Sequence, residues 1–450
     1  MDKNAELNLN KYGKLVREVI DKNLTIVHVF NPKDIESVFR QEGRYPLRRS
    51  HRALLKYRRD RPNRYRSGGL FCENGEEWYR LRKLFQQHLM SPSCVGSYIE
   101  TFQSITEDLI NYIRAKRDSR QELQDFHYEL YLWSLENTGV LALDSRLGCL
   151  NTESSEESDA KLMIRSAHDI NEAVMKTERT DSWKTKDTKD YKMLVSAQDC
   201  MSKVIDKYLT IKNNELKDNG INSSENKSFL RHFLNNPDVD QKDLLVMIED
   251  MFQAGIDTTT FTAGFALYHL SRNSWAQNKL RTEINSVLKS KSDPLSMEKF
   301  SQMPYMKACV KETMRLTPVS IGVGRVTQQE MIINDYLIPK GMLIITENQV
   351  SCRQSDYFSD PKSFIPERWL KQSAATSGCV HSKPSPFVLL PFGYGPRMCI
   401  GRRIAEMEIY VLLAKVIQNF EIQYKYSDIE VRTRLINIPN KPMRFTFLDV

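Results

Sequence analysis

The sequence predicts a mainly α-helical chain with small β-sheets, and three observations carry that expectation. Helix breakers are scarce, with 18 Gly and 17 Pro in 450 residues, below an average share of roughly 12%. An apolar stripe at three- and four-residue spacing runs from about Asp240 to Ser271, long enough to pass through the centre of a molecule. Strand-like segments are short and fall mostly in the C-terminal third. With 40% hydrophobic and 27% charged residues, the chain is neither polytopic in a membrane, disordered nor collagen-like. The length could accommodate several domains, yet no internal repeat or low-complexity linker divides it. One domain over residues 1–450 is therefore expected.

The eight cysteines lie at least 20 residues apart, so neither a CxxC pair nor a disulfide-dense layout exists. A reducing compartment is the simplest reading, and a cysteine that does chemistry does it alone. Met1–Lys14 has no signal-like apolar run or Arg-rich transit pattern. No stretch of 18 apolar residues occurs to span a bilayer.

From Arg44 to Arg66, ten Arg or Lys face one acid, Asp60. No nucleic-acid fingerprint accompanies the run, so Arg–carboxylate pairs on a helical face are expected instead of nucleic-acid binding. Asn151–Asp159 and Asn213–Lys227 read as polar surface loops. Between them, Ala160–Tyr208 reads as amphipathic helix with an irregular middle at Lys176–Asp190.

Inside the long helix, Ala254-Gly255-Ile256-Asp257-Thr258-Thr259-Thr260 is made of poor helix formers, which predicts a local opening there. Its small residues also suit close helix packing. A further helix, Tyr305–Thr317, places Glu312 and Arg315 on one face as an ion pair. Strands are predicted at Gly324–Gln329, Met331–Ile338 and Met342–Thr346, with turns at Asn334-Asp335 and Pro339-Lys340-Gly341.

The most specific segment is Pro391-Phe392-Gly393-Tyr394-Gly395-Pro396-Arg397-Met398-Cys399-Ile400-Gly401-Arg402-Arg403. Its glycines allow positive φ and close approach of a flat ligand. Amides and the start of an amphipathic helix, Arg402 to about Gln418, favour a thiolate at Cys399.

Phe392-Gly393-x-Gly395-x-Arg397-x-Cys399-x-Gly401 resembles the cysteine loop of the cytochrome P450 family of haem-thiolate monooxygenases. Glu312-x-x-Arg315 resembles that family's ExxR helix, Pro366-Glu367-Arg368-Trp369 its PERF-type segment, and Ala254-Gly255-x-Asp257-Thr258 its oxygen-activating segment. Trp78-x-x-x-Arg82 is similar to the helix that meets a haem propionate. The resemblance spans about Lys11 to the C-terminus and implies the P450 fold, with haem b between the long helix and the cysteine loop. It implies Cys399 as axial iron ligand, Phe392 over the sulfur side, and Trp78, Arg82, Arg325 and Arg397 toward the propionates. Glu312, Arg315 and Arg368 would be a structural triad that holds the loop. Asp257 and Thr258 would relay solvent protons to the dioxygen being activated. A haem sensor or an isomerase would have no use for that pair.

Lys307 and Lys311, with Arg402 and Arg403, resemble the mitochondrial branch, where a basic face receives an adrenodoxin-like ferredoxin served by an NADPH-dependent reductase. That implies the matrix side of the mitochondrial inner membrane with peripheral membrane contact. It also implies a helix at Leu9–Lys22 preceded by a leader and a proline-rich segment beyond this sequence. Arg44-Tyr45-Pro46-x-Arg48-Arg49-Ser50-His51, Tyr65-x-Ser67-Gly68-Gly69-Leu70 and Val319–Val326 look most like the arthropod disembodied-type subfamily. That likeness implies hydroxylation of an ecdysteroid precursor at carbon 22, in moulting-hormone synthesis. Another sterol position or xenobiotic oxidation is the alternative. Ser67–Phe71, Phe252, Ala254 and Val319–Ile321 would line the substrate pocket.

Overall fold

The computed structural model describes residues 3–21, 24–151, 158–218, 228–370 and 385–450. Helices dominate them. The longest, Gln241–Arg272, is the central helix, and Asp240 caps it by accepting the Lys242 N–H at 2.8 Å. It packs against the helices Phe126–Leu143, Pro304–Leu316 and Arg402–Asn419, so its residues are buried nearly all round. A hydrophobic cluster from Ala53 to Phe447 surrounds it.

The predicted opening of the central helix does not occur; the helix runs unbroken through Ala254–Thr260. Its carbonyls instead accept extra hydroxyl donors. Thr258 Oγ1 donates to Ala254 O at 2.6 Å, and Ser134 Oγ reaches Gly255 O at 3.1 Å and Ile256 O at 3.2 Å. The small residue serves packing, because a Cβ on Gly255 would lie 2.8 Å from Thr138 Oγ1.

A four-stranded sheet has the spatial order Leu15–Asp21, Leu24–Val29, Leu343–Thr346, Val323–Val326. Only the middle pair is parallel, with Ile26 opposite Leu343 and Val29 opposite Thr346. Among the described residues strands fall mostly in the C-terminal third, as expected, with Leu15–Asp21, Leu24–Val29 and Glu122–Leu123 outside it. The helix expected over Leu9–Lys22 is corrected: helix Lys3–Tyr12 ends where Gly13 turns to φ +91°, and Leu15–Asp21 pairs as a strand. Val16, Val19 and Ile20 are β-branched and favour that state; Lys22 lies outside the described residues.

Met331–Ile333 and Tyr336–Ile338 form the expected hairpin, its turn residues Asn334 and Asp335 both at positive φ, as a two-residue I′ turn requires. Helices Asp159–Thr177 and Lys189–Asp218 flank the irregular segment predicted between them. Where a polar loop was expected from Asn213, helix persists to Asp218. Residues 219–227, 152–157 and Cys379 lie outside the described residues. The helix after the cysteine loop, Arg402–Asn419, is not amphipathic: from Met407 to Asn419 only Tyr410 escapes full burial. Its polar members find partners, as Lys415 Nζ does with Glu107 Oε1 at 2.9 Å and Lys291 O at 2.6 Å.

The basic run Arg44–Arg66 resolves into ion pairs across elements. Arg52 meets Glu178 and Asp181, and Arg64 meets Asp206 and Glu249. Arg58, fully buried, binds Asp250 Oδ1 at 2.7 Å and Gly68 O at 2.8 Å. Among the described residues no helix is long and apolar enough to cross a membrane.

Candidate functional site

Hydrogen bonds close the cysteine loop on itself. Gly393 and Gly395 adopt φ +71° and +76°, which only glycine takes cheaply. A Cβ on Gly395 would also come within 2.4 Å of Glu42 Oε1. Met398 N–H then reaches Gly395 O at 3.0 Å and Cys399 N–H reaches Phe392 O at 2.9 Å. Gly401 starts the following helix, and its amide points at the Cys399 sulfur.

Cys399 is the one exposed cysteine among those described, yet the surrounding protein desolvates it heavily. It therefore lines an interior recess. Burial pushes its thiol above the ordinary value, while the Gly401 N–H, Arg82 and Arg402 pull the other way. The thiolate anticipated from the loop thus does not arise from amides and cations alone. Metal ligation is what deprotonates such a sulfur.

Around the sulfur lies a cationic cluster with too little negative charge. Arg397 stacks on Trp78, 4.4 Å from the ring centre. Its Nη2 donates to Glu73 O, but Nε and Nη1 are buried without a hydrogen-bond partner. Burial, with Arg48 and Arg325 nearby, lowers it to about 8. Arg325 donates to Glu42 and, at 3.0 Å, to Gly324 O. Arg82 donates to Gln86 Oε1 at 2.6 Å, meets no carboxylate among the described residues, and is lowered by burial to about 10.

Reading the sequence did not single out Arg48 as a site residue. The bridge Leu47↔Val326 sets it next to Arg325, and burial lowers it to about 10. Of these four arginines Arg325 is paired with Glu42 and Arg397 feels its charge, while Arg48 and Arg82 have no carboxylate partner among the described residues. Buried charges of one sign are costly unless paired, so the cluster fits a bound group with two carboxylates and a flat apolar body. Haem, with its two propionates, is such a group.

The central helix presents Thr258 as an exposed residue between buried Asp257 and Thr259. Asp257 turns the other way, toward helices Phe126–Leu143 and Asp159–Thr177. Its Oδ2 accepts from Asn171 Nδ2 at 2.7 Å, and its Oδ1 lies 3.6 Å from His168 Nε2. Burial raises its carboxyl, opposed by His168, Asn171 and Tyr131. Sequence reading missed these three residues, which carry no motif.

Ser67–Phe71 is fastened to the central helix by Asp250, whose Oδ2 accepts the Leu70 N–H at 2.8 Å. Leu70, Phe71, Ala254, Ser320 and Ile321 present surface, while Ser67 and Val319 are buried. Phe252, expected in the pocket wall, is instead fully buried in the core, because its side of the helix faces other elements.

Glu312 collects five donors. Arg315 Nε and Nη2 bind it at 2.8 Å each, Arg368 Nε at 3.0 Å, Trp369 Nε1 at 2.9 Å and Ile365 N–H at 3.0 Å. These contacts hold its carboxyl below the usual range against burial. Arg315 also binds the carbonyls of Cys352, Pro361 and Ser363. That segment packs on Val388 and Leu389, just ahead of the cysteine loop. Lys307 and Lys311 are exposed on the same helix. Lys311 Nζ sits 4.0 Å over the Trp369 ring, and burial, with Arg402 nearby, lowers its ammonium below the usual value. Arg402 and Arg403 are exposed, Arg403 donating to Met90 O.

A family model described as Cytochrome P450 matches residues 1–447. The chain is 34% identical over 438 residues to "Cytochrome P450 302a1, mitochondrial" of Drosophila melanogaster, spanning 96% of this chain and 86% of that protein. It is 33% identical over 441 residues to "Cytochrome P450 CYP12A2" of Musca domestica, spanning 94% and 81%. To "Sterol 26-hydroxylase, mitochondrial" of Mus musculus it is 31% identical over 454 residues, spanning 98% and 83%.

Proposed function

The chain belongs to the cytochrome P450 family, a monooxygenase whose cofactor is haem iron held by a cysteine thiolate, and on that footing we propose that it hydroxylates a sterol. The proposed substrate is an ecdysteroid precursor attacked at side-chain carbon 22, with electrons from an adrenodoxin-like ferredoxin in mitochondria. Residues 1–450 are taken as one domain. The observation that carries the site assignment is the accessible Cys399 beside a cluster of four arginines, of which only Arg325 is ion-paired, with Glu42, among the described residues. The sterol class is supported by the likeness to a protein named a sterol hydroxylase, and the compartment by the relatives named mitochondrial.

When bound, the haem supplies the iron at which dioxygen is activated and one oxygen atom inserted into a C–H bond. The residues of the chain have the remaining tasks. Cys399 gives its sulfur to the iron, and Phe392 screens that sulfur from water. Trp78, Arg82, Arg325 and Arg397, joined by Arg48, hold the propionates; planar guanidinium forks suit carboxylates. Glu312, Arg315 and Arg368 brace the segment that supports the loop. Asp257 and Thr258 handle protons. Leu70, Phe71, Ala254 and Ile321 give an apolar wall suited to a sterol body. Lys307, Lys311, Arg402 and Arg403 offer a basic face to an acidic ferredoxin.

The test is turnover of a panel of sterols by the haem-loaded enzyme with ferredoxin, its reductase and NADPH, products identified by mass spectrometry and NMR. An ecdysteroid precursor gaining one oxygen at carbon 22 is the expected result. Exclusive oxidation at the far end of the side chain would favour the second reading, a different sterol position, which the 26-hydroxylase likeness supports. Oxidation of xenobiotics alone would overturn both.

A further inference from the structure

We propose that His168 is the positioning residue through which solvent protons reach Asp257, an inference that rests on the relay role assigned above to Asp257 and Thr258. Asp257 is 5% exposed, so water does not bathe its carboxylate. Its two oxygens are treated unequally. Oδ2 is held by Asn171 at 2.7 Å, while Oδ1 has no partner in hydrogen-bond geometry among the described residues, the Tyr131 hydroxyl being close to the carboxylate as well. An unmatched buried carboxylate oxygen is costly, and here it faces His168 Nε2 at 3.6 Å.

The His168 side chain is 47% exposed, so one imidazole spans the distance from solvent to the buried acid. Tyr131 Oη, 2.7 Å from Nε2 and itself buried, fixes the ring. Burial and Asp257 push the Tyr131 phenol far above its usual value, so it keeps its proton and acts as a post. The ring needs to close by less than 1 Å to bring Nε2 within hydrogen-bond reach of Oδ1.

The transfer balances simply. A water-borne proton adds to Nδ1 of neutral His168. The Nε2–H bond breaks, its electron pair staying on nitrogen, and an O–H bond forms at Asp257 Oδ1. The imidazole left protonated on Nδ1 returns to its first tautomer by exchange with water. Nothing is oxidised or reduced. Histidine suits this because a proton can enter at one ring nitrogen and leave from the other.

The charged and titratable groups around it are few. From the central helix comes Asp257, and from helix Phe126–Leu143 come Tyr131 and His127, with Asp125 preceding it. On its own helix Glu172 lies one turn away, paired with Lys176 and facing Arg434 from the C-terminal region. Of these, Asp257 is the buried carboxylate that His168 Nε2 faces, with Tyr131 beside both.

The test uses the haem-loaded full chain and measures product formed per electron pair consumed, across about pH 6 to 8. His168→Gln keeps a hydrogen-bonding group toward Tyr131 but cannot carry a proton through. We expect at least a tenfold loss of product per electron pair, no remaining pH dependence, and a double variant with Asp257→Asn no worse than either single one. Separately from turnover, 15N NMR of the carbon-monoxide-bound ferrous protein should show the His168 Nε2 resonance moving on Asp257→Asn. Wild-type coupling and pH profile in His168→Gln, alongside an uncoupled Asp257→Asn, would overturn the proposal and leave the relay reading standing. Normal coupling in Asp257→Asn would sink the relay reading and this proposal with it. If His168→Gln does not fold, an unmoved Nε2 resonance in Asp257→Asn overturns the proposal by itself.

Discussion

Arg397 carries two buried nitrogens, Nε and Nη1, with no acceptor among the described residues, and that is the sharpest residue-level mark of an anionic ligand. Replacing it by Lys keeps a charge but loses the planar fork and its stacking on Trp78. The expected result is weaker haem retention, read as the absorbance lost during gel filtration or dialysis, and worse still for Arg397→Ala. Cys399→Ala removes the sulfur itself; the ferrous carbon-monoxide spectrum should lose its thiolate signature, and an unchanged spectrum would refute the ligand assignment. Single residues differ greatly in how legible they are before folding. Cys399 stands out in one dimension because glycines and prolines crowd it. Arg48 is hidden in a run of arginines and becomes distinctive only when Leu47 pairs with Val326. His168, Asn171 and Tyr131 converge on Asp257 from up to 126 positions away, and no local pattern encodes such a meeting.

At the scale of elements, the central helix and the Glu312 network invite the clearest measurements. Gly255→Val would drive a side chain into Thr138, costing about 1–3 kcal/mol of overpacking in thermal or denaturant unfolding. Glu312→Ala strands the buried Arg315 guanidinium, and breaking such a pair costs roughly 3–5 kcal/mol. Trp369→Phe, which removes one donor of five, should cost only about 1 kcal/mol.

Glu408, buried beside Thr259 on the helix that follows the cysteine loop, is raised by burial to about 8, far above an unfolded glutamate at about 4.3. Between those values the folded chain holds a proton that the unfolded chain has released, so stability falls as pH rises. The slope is roughly 1.4 kcal/mol per pH unit. Glu408→Gln should flatten that slope between about pH 5 and 8, as measured by melting temperature. Long, periodic helices such as Asp240–Ser271 were readable from spacing alone. The N-terminal strand was not, because Leu15–Asp21 needs the remote partners Leu24–Val29 and Leu343–Thr346 to exist.

For the whole molecule, a net charge of +8 says little until it is distributed. Much of the Arg44–Arg66 charge is spent on Glu178, Asp181, Asp206, Glu249 and Asp250, which fasten distant helices to one another. Lys307, Lys311, Arg402 and Arg403 remain at the surface. Reversing Lys307 and Lys311 to Glu should weaken ferredoxin affinity several-fold, more at low salt than at high, as titrated by spectral change or calorimetry. No effect would remove the main support for that partner.

The gathering of four arginines, one of them paired with Glu42, has a consequence in the cell. A polypeptide that leaves the ribosome before its prosthetic group arrives must hold Arg48, Arg82, Arg325 and Arg397 together against their mutual repulsion. Loading is then a late step of maturation as much as of catalysis. Starving cells of porphyrin should shorten the lifetime of this protein, because the repulsion lowers stability and quality-control proteases act on the unfolded fraction.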